Sequence, residues 1–299
     1  MLESVLAGAV AGGTCIVFAG LGEVVAERSG IINLGTEGSM LCGALAAYAV
    51  GIETGNPWLG VLAGLLAGAL LSAVHAGLVL HRNANQIAVG LVVSFFGIGI
   101  TALFGQDYVG QGVVPLETWD VPGLSNLPFL GPILFQHDPL TYLSYAAVPI
   151  LMWVIWRTRA GLKLRAAGEG PEVLEIYGSS ARRVRWVAVL VGGAFAGVGG
   201  AQLSTAATLN WSEQMTVGRG YVAVALVIFA GWHPLKLMGG AYLFSGAIAL
   251  QLQLQADGSD ISPYLLQSLP YVTVIVVLAL ISRRRIHGGP AALEKVFES

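Results

Sequence analysis

Long apolar runs separated by short polar connections dominate this chain. Nine such segments cover about residues 4–22, 31–50, 58–80, 86–104, 140–156, 186–207, 221–232, 237–254 and 264–282. Most approach the ~20 residues that a helix needs to cross a hydrocarbon core of ~30 Å. None alternates apolar and polar residues as the strands of a transmembrane barrel do. The pattern predicts an all-α, polytopic membrane protein with about 8–10 transmembrane helices, forming a single domain over residues 1–299.

The composition leads to the same class of protein. Hydrophobic residues make up 55% of the chain and charged residues only 11%, with a mean hydropathy of +0.73. A soluble domain carries roughly 25% charged residues, so this chain cannot cover itself with a hydrated surface. The 41 glycines fit, because small residues let membrane helices approach closely. The lipid bilayer is therefore the expected surrounding, and nucleic acid is not an expected partner.

Two of the apolar segments are irregular, which is typical of transporter sites. The seventh is too short to cross alone and is expected to be a half-helix or a re-entrant element. The second is interrupted between Asn33 and Gly38 and contains Glu37, an ionisable group at membrane depth. Such interrupted segments surround the substrate in many transporters. We therefore place Asn33 and Glu37 on a predicted substrate path; the alternative is that Glu37 lies near the cytoplasmic end and either acts as a helix cap or pairs locally with Arg28.

Later polar residues extend this predicted path. Arg219 stands between two glycines at the start of the seventh segment, and Gln251 lies near the end of the eighth. Arg219 is suited to recognise a polar solute, or equally to pair with Glu213 as a structural tie. Gln251 either lines a polar path or marks the membrane interface.

The distribution of basic residues predicts the orientation of the chain. Fourteen of the fifteen lysines and arginines lie in every second connection or in the C-terminal tail, and Arg219 is the exception. Cytoplasmic loops collect Lys and Arg, so the N-terminus is predicted outside and the C-terminus in the cytoplasm. The connection 105–139, with four acids and no Lys or Arg, is then extracellular. It is interpreted as a lid, a docking surface or a disordered connector.

The most basic connection, residues 157–185, predicts a short helix of its own. Pro171 and Glu172 suit the first turn of a helix, and Gly178 suits its end. Ser179 or Ser180 is then expected to cap the following span. An isolated helix of about two turns is unstable in water, so it must pack on this protein, on the membrane surface or on a partner.

Sequence motifs of enzymes are missing from the chain. There is no Gly-x-x-x-x-Gly-Lys-Ser/Thr, HExxH, CxxC or GxSxG sequence, and the five histidines are scattered without metal-ligand spacing. We therefore expect no catalytic residue, no metal site and no enzyme activity. Moving a solute fits better than transforming one.

Several blocks of the chain resemble the permease subunits of nucleoside ABC importers, within the wider group of simple-sugar and branched-chain amino-acid permeases. The matching blocks include residues 22–30, 33–38, 84–86, 161–166, 218–220, 232–234, 266–271 and 290–293. They occur in the order found in that family, between about residues 14 and 298. The likeness indicates the family more specifically than the substrate.

The resemblance implies a type II-like ABC importer permease fold in a bacterial-type inner membrane. It implies three kinds of partner: a second, usually non-identical permease subunit, ABC ATPase subunits, and an extracellular substrate-binding lipoprotein. ATP and Mg would be bound by the ATPase, with no cofactor in this chain. Asn85, in a matching block, joins the predicted substrate path. The alternatives are a simple-sugar permease of the ribose or galactose type, an ATP-independent channel, or a membrane enzyme.

In the family, the short helix of the basic connection is the coupling helix that sits in a cleft of the ATPase. The residues that this resemblance assigns to coupling are Glu169, Pro171, Glu172, Leu174 and Tyr177.

Overall fold

Helices make up most of the protein in the computed structural model, which describes residues 1–258, 261–281 and 289–293. The helices are α1 (Leu2–Arg28), α2 (Thr36–Thr54), α3 (Pro57–Arg82), α4 (Gln86–Gly105), α5 (Leu130–Leu134), α6 (Pro139–Arg157), α7 (Arg159–Glu169), α8 (Pro171–Ile176), α9 (Ala181–Gln202), α10 (Arg219–Phe229), α11 (Pro234–Ala256) and α12 (Pro263–Ile281). Two strands of two residues each, β1 (Trp119–Asp120) and β2 (Gln136–His137), pair antiparallel. The predicted all-α class is confirmed.

Each of the nine apolar segments corresponds to one helix in the described part of the chain. Six of these, α1, α3, α4, α6, α9 and α11, are long and apolar enough to cross a membrane. α2 and α12 each have 19 residues, whereas α10 has only 11, about half of a crossing. The protein is a multi-pass membrane protein, and its seventh segment is a half-helix as predicted.

Glycines bring the backbones of α2, α3 and α9 into direct contact. A Cβ atom added to Gly197 would lie 2.1 Å from the carbonyl oxygen of Gly64, and one added to Gly68 would lie 2.3 Å from that of Gly193. A Cβ on Gly43 would lie 2.4 Å from the Cα of Gly197. Small residues allow this close approach between membrane helices. These three helices and α1 form the centre of the bundle.

The helix ends that carry basic residues meet at one end of the molecule, here called the basic end. Arg185 Nε donates to the carbonyl oxygen of Ser29 at 3.0 Å, and Trp186 Nε1 donates to His81 Nε2 at 3.0 Å. At the opposite end, Leu116 N donates to the carbonyl oxygen of Thr205 at 3.0 Å. Connections that are basic in the sequence thus lie together at one end of the molecule, and non-basic ones lie at the opposite end. Which end faces the cytoplasm stays a prediction.

The basic connection contains two helices where one was predicted. α8 begins at Pro171, Gly178 follows in the left-handed region (φ +73°), and Ser180 Oγ accepts from Arg183 N at 3.4 Å, as the sequence indicated. The preceding helix, α7, was not predicted, because it is amphipathic and its polar face conceals the apolar positions in the sequence. Its buried residues are Gly161, Leu164, Ala167 and Gly168.

The long connection 105–139 has structure of its own at the opposite end. It contains a 3₁₀ turn (Gln106–Tyr108), the β1–β2 pair and the five-residue helix α5. Leu116 is buried within it, in a hydrophobic cluster with side chains of α1, α2, α3, α6 and α9. Several of its apolar side chains, among them Trp119 and Phe129, remain exposed.

Candidate functional site

A discontinuous span lies at the centre of the bundle. α9 continues into a π-helical segment, Leu203–Ala207, and residues 208–218 then run back into the bundle as irregular backbone. Trp211 packs against Gly105 at the end of α4, whereas Gly220 at the start of α10 touches Glu37. α10 therefore starts inside the bundle and runs towards the basic end. Irregular backbone at this depth is tolerated only where protein or water surrounds it.

Glu37, buried at the start of α2, binds the N-terminus of the half-helix α10. Its Oε1 accepts from Thr216 Oγ1 at 2.5 Å and from Gly218 N at 2.9 Å, and its Oε2 accepts from Gly220 N at 2.6 Å. A carboxylate is favourable there because the N-terminus of a helix carries partial positive charge and unpaired N–H groups. The carboxylate thus caps α10, which agrees with the capping part of the predicted alternative, although the capped helix lies far along the chain.

The interruption before α2 is held by a buried polar network. Glu23 Oε1 accepts from Asn33 N at 2.8 Å, and Glu23 Oε2 accepts from Thr36 Oγ1 at 2.9 Å. Asn33 Nδ2 donates to Ser72 Oγ at 3.2 Å, and its Oδ1 accepts from Gly35 N at 3.0 Å. Each of these bonds satisfies a polar group that would be costly to bury alone. Asn33 therefore holds the irregular backbone before α2 in place through its main chain and its side chain.

Arg219 begins α10 beside this network and faces a cavity. Its Nη1 donates to the carbonyl oxygen of Met215 at 3.2 Å, while its buried Nε has no hydrogen-bond partner among the described residues. No ion pair with Glu213 forms in the described part of the chain, so the predicted structural tie is absent. The cavity has a volume of about 410 Å³. Its lining residues are Val217, Arg219, Phe244, Ile248, Gln251, Gln267, Pro270 and Tyr271.

The cavity combines aromatic and hydrogen-bonding surfaces. Phe244 of α11 and Tyr271 of α12 meet edge to face, with ring centroids 5.9 Å apart and an interplanar angle of 74°. Tyr271 is 50% exposed, so part of its surface is free for contact. Gln251 and Gln267 each offer a donor and an acceptor, and Arg219 offers only donors. The site suits a small uncharged or anionic solute with a flat apolar face and polar edges.

The five predicted path residues occupy three places. Arg219 and Gln251 share the cavity, and Asn33 and Glu37 lie in the buried layer that supports it. Asn85 is exposed at the basic end, where its Oδ1 caps α4 by accepting from Ile87 N and Ala88 N, both at 3.0 Å. Direct contact of any of the five with a substrate stays a prediction.

Two residues that line the cavity were not predicted from the sequence. Gln267 and Tyr271 lie on α12, which has an internal proline, Pro270, but no charged residue that would mark a site. A signal was present, since both belong to a block that resembles the permease family. Only the packing of α12 against α11 brings them to Arg219.

α8 presents an inner and an outer face at the basic end. Leu174 is buried against Ala167 of α7 and Ala181 of α9. Glu172, Ile176 and Tyr177 are exposed, the last two by more than four-fifths. Of the predicted coupling residues, Leu174 therefore packs on this protein. Glu172 and Tyr177 are exposed and free to contact a partner. Ile176, which was not predicted, is exposed on the same face.

The apolar spans, the half-helix at their centre and the cavity beside it define a membrane transport protein. The chain belongs to the family described as the permease component of the branched-chain amino acid transport system, whose family model matches residues 5–281. It is therefore an ABC transporter permease, and its relatives are transport subunits.

Three relatives are named for particular solutes. The chain is 38% identical over 288 residues to a protein of Haloferax volcanii provisionally named as a glucose ABC transporter permease, covering 89% of this chain and 88% of the relative. It is 34% identical over 292 residues to a nucleoside ABC transporter permease of Lactococcus lactis, covering 93% and 92%. It is 29% identical over 277 residues to a guanosine ABC transporter permease of Bacillus subtilis, covering 88% and 87%. No solved structure matches the chain significantly.

Proposed function

We propose that this permease subunit forms part of the path for nucleoside uptake. A second permease subunit completes the path, partner ABC ATPases supply the energy, and an extracellular binding lipoprotein delivers the solute. The N-terminus lies outside and the C-terminus in the cytoplasm, so that the basic end faces the ATPases. The distribution of Lys and Arg supports this orientation.

The observation that carries the nucleoside proposal is the pairing of aromatic rings with glutamine amides in one cavity. A nucleobase has a flat face that packs on an aromatic ring and an edge of donors and acceptors that matches an amide. Tyr271 supplies the ring, and Gln251 and Gln267 supply the amides. In this proposal, Arg219 donates to ribose hydroxyl groups. Two of the relatives are named as nucleoside and guanosine permeases, which agrees with this chemistry.

A simple sugar is the second candidate substrate. The Haloferax volcanii relative, at 38% identity, is named for glucose. Sugars also pack on aromatic rings and bind to amide and guanidinium groups, so the same cavity would accept them. What distinguishes a nucleoside is the second, planar ring system, whose edge needs amide partners.

Uptake by the reconstituted complex separates these candidates. The two permease subunits, the ATPase and the binding protein are placed in proteoliposomes with ATP inside, and radiolabelled guanosine, adenosine, cytidine and glucose are supplied in parallel. We expect ATP-dependent uptake of at least one nucleoside and competition among nucleosides. Uptake of glucose with no nucleoside uptake would replace the proposal by the sugar alternative.

Variants of the cavity test its role in the same assay. Gln267→Ala should raise the KM for nucleoside severalfold with little change in maximal rate. The reason is that the lost hydrogen bond stabilises the bound solute equally before and during the transport step. Gln255→Ala on α11, an exposed glutamine outside the cavity, is the matched control. If both variants keep the KM of the unmodified complex, this cavity is not where the solute binds.

A further inference from the structure

The half-helix α10 is fastened at both of its ends. At its N-terminus, the Glu37 carboxylate binds two backbone N–H groups and a threonine hydroxyl, as described above. Gly220 is required there, because a Cβ atom would lie 2.5 Å from the Cα of Glu37. This end of α10 is consequently attached to α2. The same contact sets the position of the neighbouring Arg219.

At the C-terminal end of α10, Trp232 is the fastening residue. The turn after the helix closes with Trp232 N donating to the carbonyl oxygen of Val227 at 3.0 Å. The Trp232 ring is buried, and its Nε1 donates to Glu27 Oε2 on α1. Arg28 Nη2 donates to the carbonyl oxygen of Trp232 at 3.4 Å. Both ends of α10 are therefore bound to long helices of the bundle.

The same end of α1 is bonded to the segment that carries α8. Arg185, at the start of α9, donates from Nε to the carbonyl oxygen of Ser29 at 3.0 Å and from Nη2 to that of Ala167 at 2.8 Å. Gly168 of α7 packs directly on the carbonyl of Arg28, since a Cβ there would lie 2.4 Å from that oxygen. One guanidinium thus joins the end of α1 to α7.

The C-terminal segment closes this cluster from outside. Gly289 packs on the Trp232 ring, and Ala292 packs on Gly30 just beyond α1. Ala291 N donates to Glu169 Oε2 at the end of α7 at 3.3 Å. The turn after α10, the end of α1 and the end of α7 are therefore joined by one continuous set of contacts.

We propose that Trp232 and Arg185 are positioning residues that transmit movement of the α7–α8 segment to α10, and through α10 to Arg219 at the cavity. A shift of α7 would pull the Ser29 end of α1 through Arg185, and Trp232 would carry that shift into α10. Packed elements of this kind move as rigid bodies. The inference relies on the proposed contact of α8 with the ATPase, but not on which solute is carried.

The test is the number of solute molecules transported per ATP hydrolysed by the complete reconstituted complex. Trp232→Phe keeps an aromatic ring but removes the Nε1 donor to Glu27 together with part of the buried indole surface. Arg185→Lys keeps the charge but cannot reach both carbonyl oxygens as the planar guanidinium does. Matched controls are Trp153→Phe on the exposed face of α6 and Arg183→Lys on the first turn of α9, both of them exposed.

We expect Trp232→Phe and Arg185→Lys each to lower the transport-to-ATP ratio at least fivefold, with KM within twofold of the unmodified complex and the controls unchanged. A ratio equal to that of the unmodified complex in either variant would overturn the proposal. A parallel fall of uptake and ATP hydrolysis in an assembled complex would also overturn it, because the two activities would still be coupled. If Trp232→Phe does not assemble, Arg185→Lys decides alone. Failure of nucleoside uptake by the unmodified complex would concern the substrate, and the ratio is then measured with glucose.

Discussion

The two sides of the bundle differ in how their helices meet. In α2, α3 and α9 the backbones touch at glycines, and a single added methyl group would collide with a carbonyl oxygen. In α10, α11 and α12 the contacts are made by side chains, and a cavity of about 410 Å³ separates them. α12 is also widely exposed, with Tyr264 83% and Leu265 66% accessible. The first, fixed side is packed backbone against backbone, and the second, open side keeps a cavity between its side chains.

This difference explains why glutamates and glycines are found where they are. On the fixed side, van der Waals contact between backbones supplies the cohesion, since the lipid gives no hydrophobic drive for helix association. On the open side, buried hydrogen bonds at Glu37 and Glu27 hold α10 in place without filling the cavity. Polar bonds are directional, so they fix a helix end while leaving space beside it.

The largest effect is expected from filling the glycine contact. Gly197→Leu should abolish accumulation of folded permease, because even a Cβ atom at this position would lie 2.1 Å from the Gly64 oxygen and overpacking costs about 1–3 kcal/mol or more. Size-exclusion chromatography of the detergent-extracted protein measures it. Gly239→Leu, where no atom lies within 4 Å of an added Cβ, is the control. A monodisperse Gly197→Leu protein would contradict the interpretation that close glycine contacts hold α2, α3 and α9 together.

A smaller but still large effect is expected at Glu37. Glu37→Ala leaves the donors of Thr216, Gly218 and Gly220 unpaired, at about 1–3 kcal/mol each. Glu37→Gln keeps one acceptor oxygen and sets an NH₂ group against one N–H donor, so it should be intermediate. Thermal unfolding in detergent should rank the unmodified protein above Gln and Gln above Ala. Equal midpoints for all three would show that the cap does not hold α10.

Removal of Arg219 should leave the protein folded and reduce its function. Arg219→Ala removes a guanidinium that makes only one hydrogen bond within the described residues, so stability should change little. Initial uptake in proteoliposomes should fall about tenfold, equivalent to ~1.4 kcal/mol of lost interaction with the solute. Lys236→Ala, an exposed cation at the start of α11, controls for loss of charge. Unchanged uptake in Arg219→Ala would leave Arg219 a structural residue.

The smallest effect on the chain itself is expected on the outer face of α8. Replacing Ile176 and Tyr177 together by serine should leave folding unchanged, because both side chains are more than four-fifths exposed. Association with the ATPase, measured by co-purification, should fall severalfold. Leu162→Ser on the exposed face of α7 serves as the control. Normal co-purification of the double variant would remove α8 from the ATPase contact.

The spans and the start of α8 were predictable because their signals are local. Chain length and apolar composition decide whether a helix can cross a bilayer, and Pro171 and Gly178 mark helix ends through their own backbone preferences. The resemblance to the family extends along almost the whole chain, and the family model confirms it. α7 was missed because its apolar positions are scattered among charged residues.

The role of Glu37 shows where prediction from the sequence stopped. Its position in an interrupted segment marked it as important, but its partners lie about 180 residues further along the chain. Glu27 and Trp232 are likewise far apart in the chain, and Arg219 and Gln267, which share the cavity, lie on different helices. A local pattern cannot reveal which distant groups will share a buried site.

The sequence by itself determined the class of protein, the number and approximate ends of its apolar segments, and its family, because hydropathy, helix caps and short motifs act within a few residues. Only the tertiary structure decided that Glu37 caps α10 and that Arg219, Gln251, Gln267 and Tyr271 line one cavity. The connection of α10 to the α7–α8 segment through Trp232, the end of α1 and Arg185 is likewise visible only in the tertiary structure. The physical reason is that burial and hydrogen bonding act over a few ångströms in space, whatever the separation along the chain.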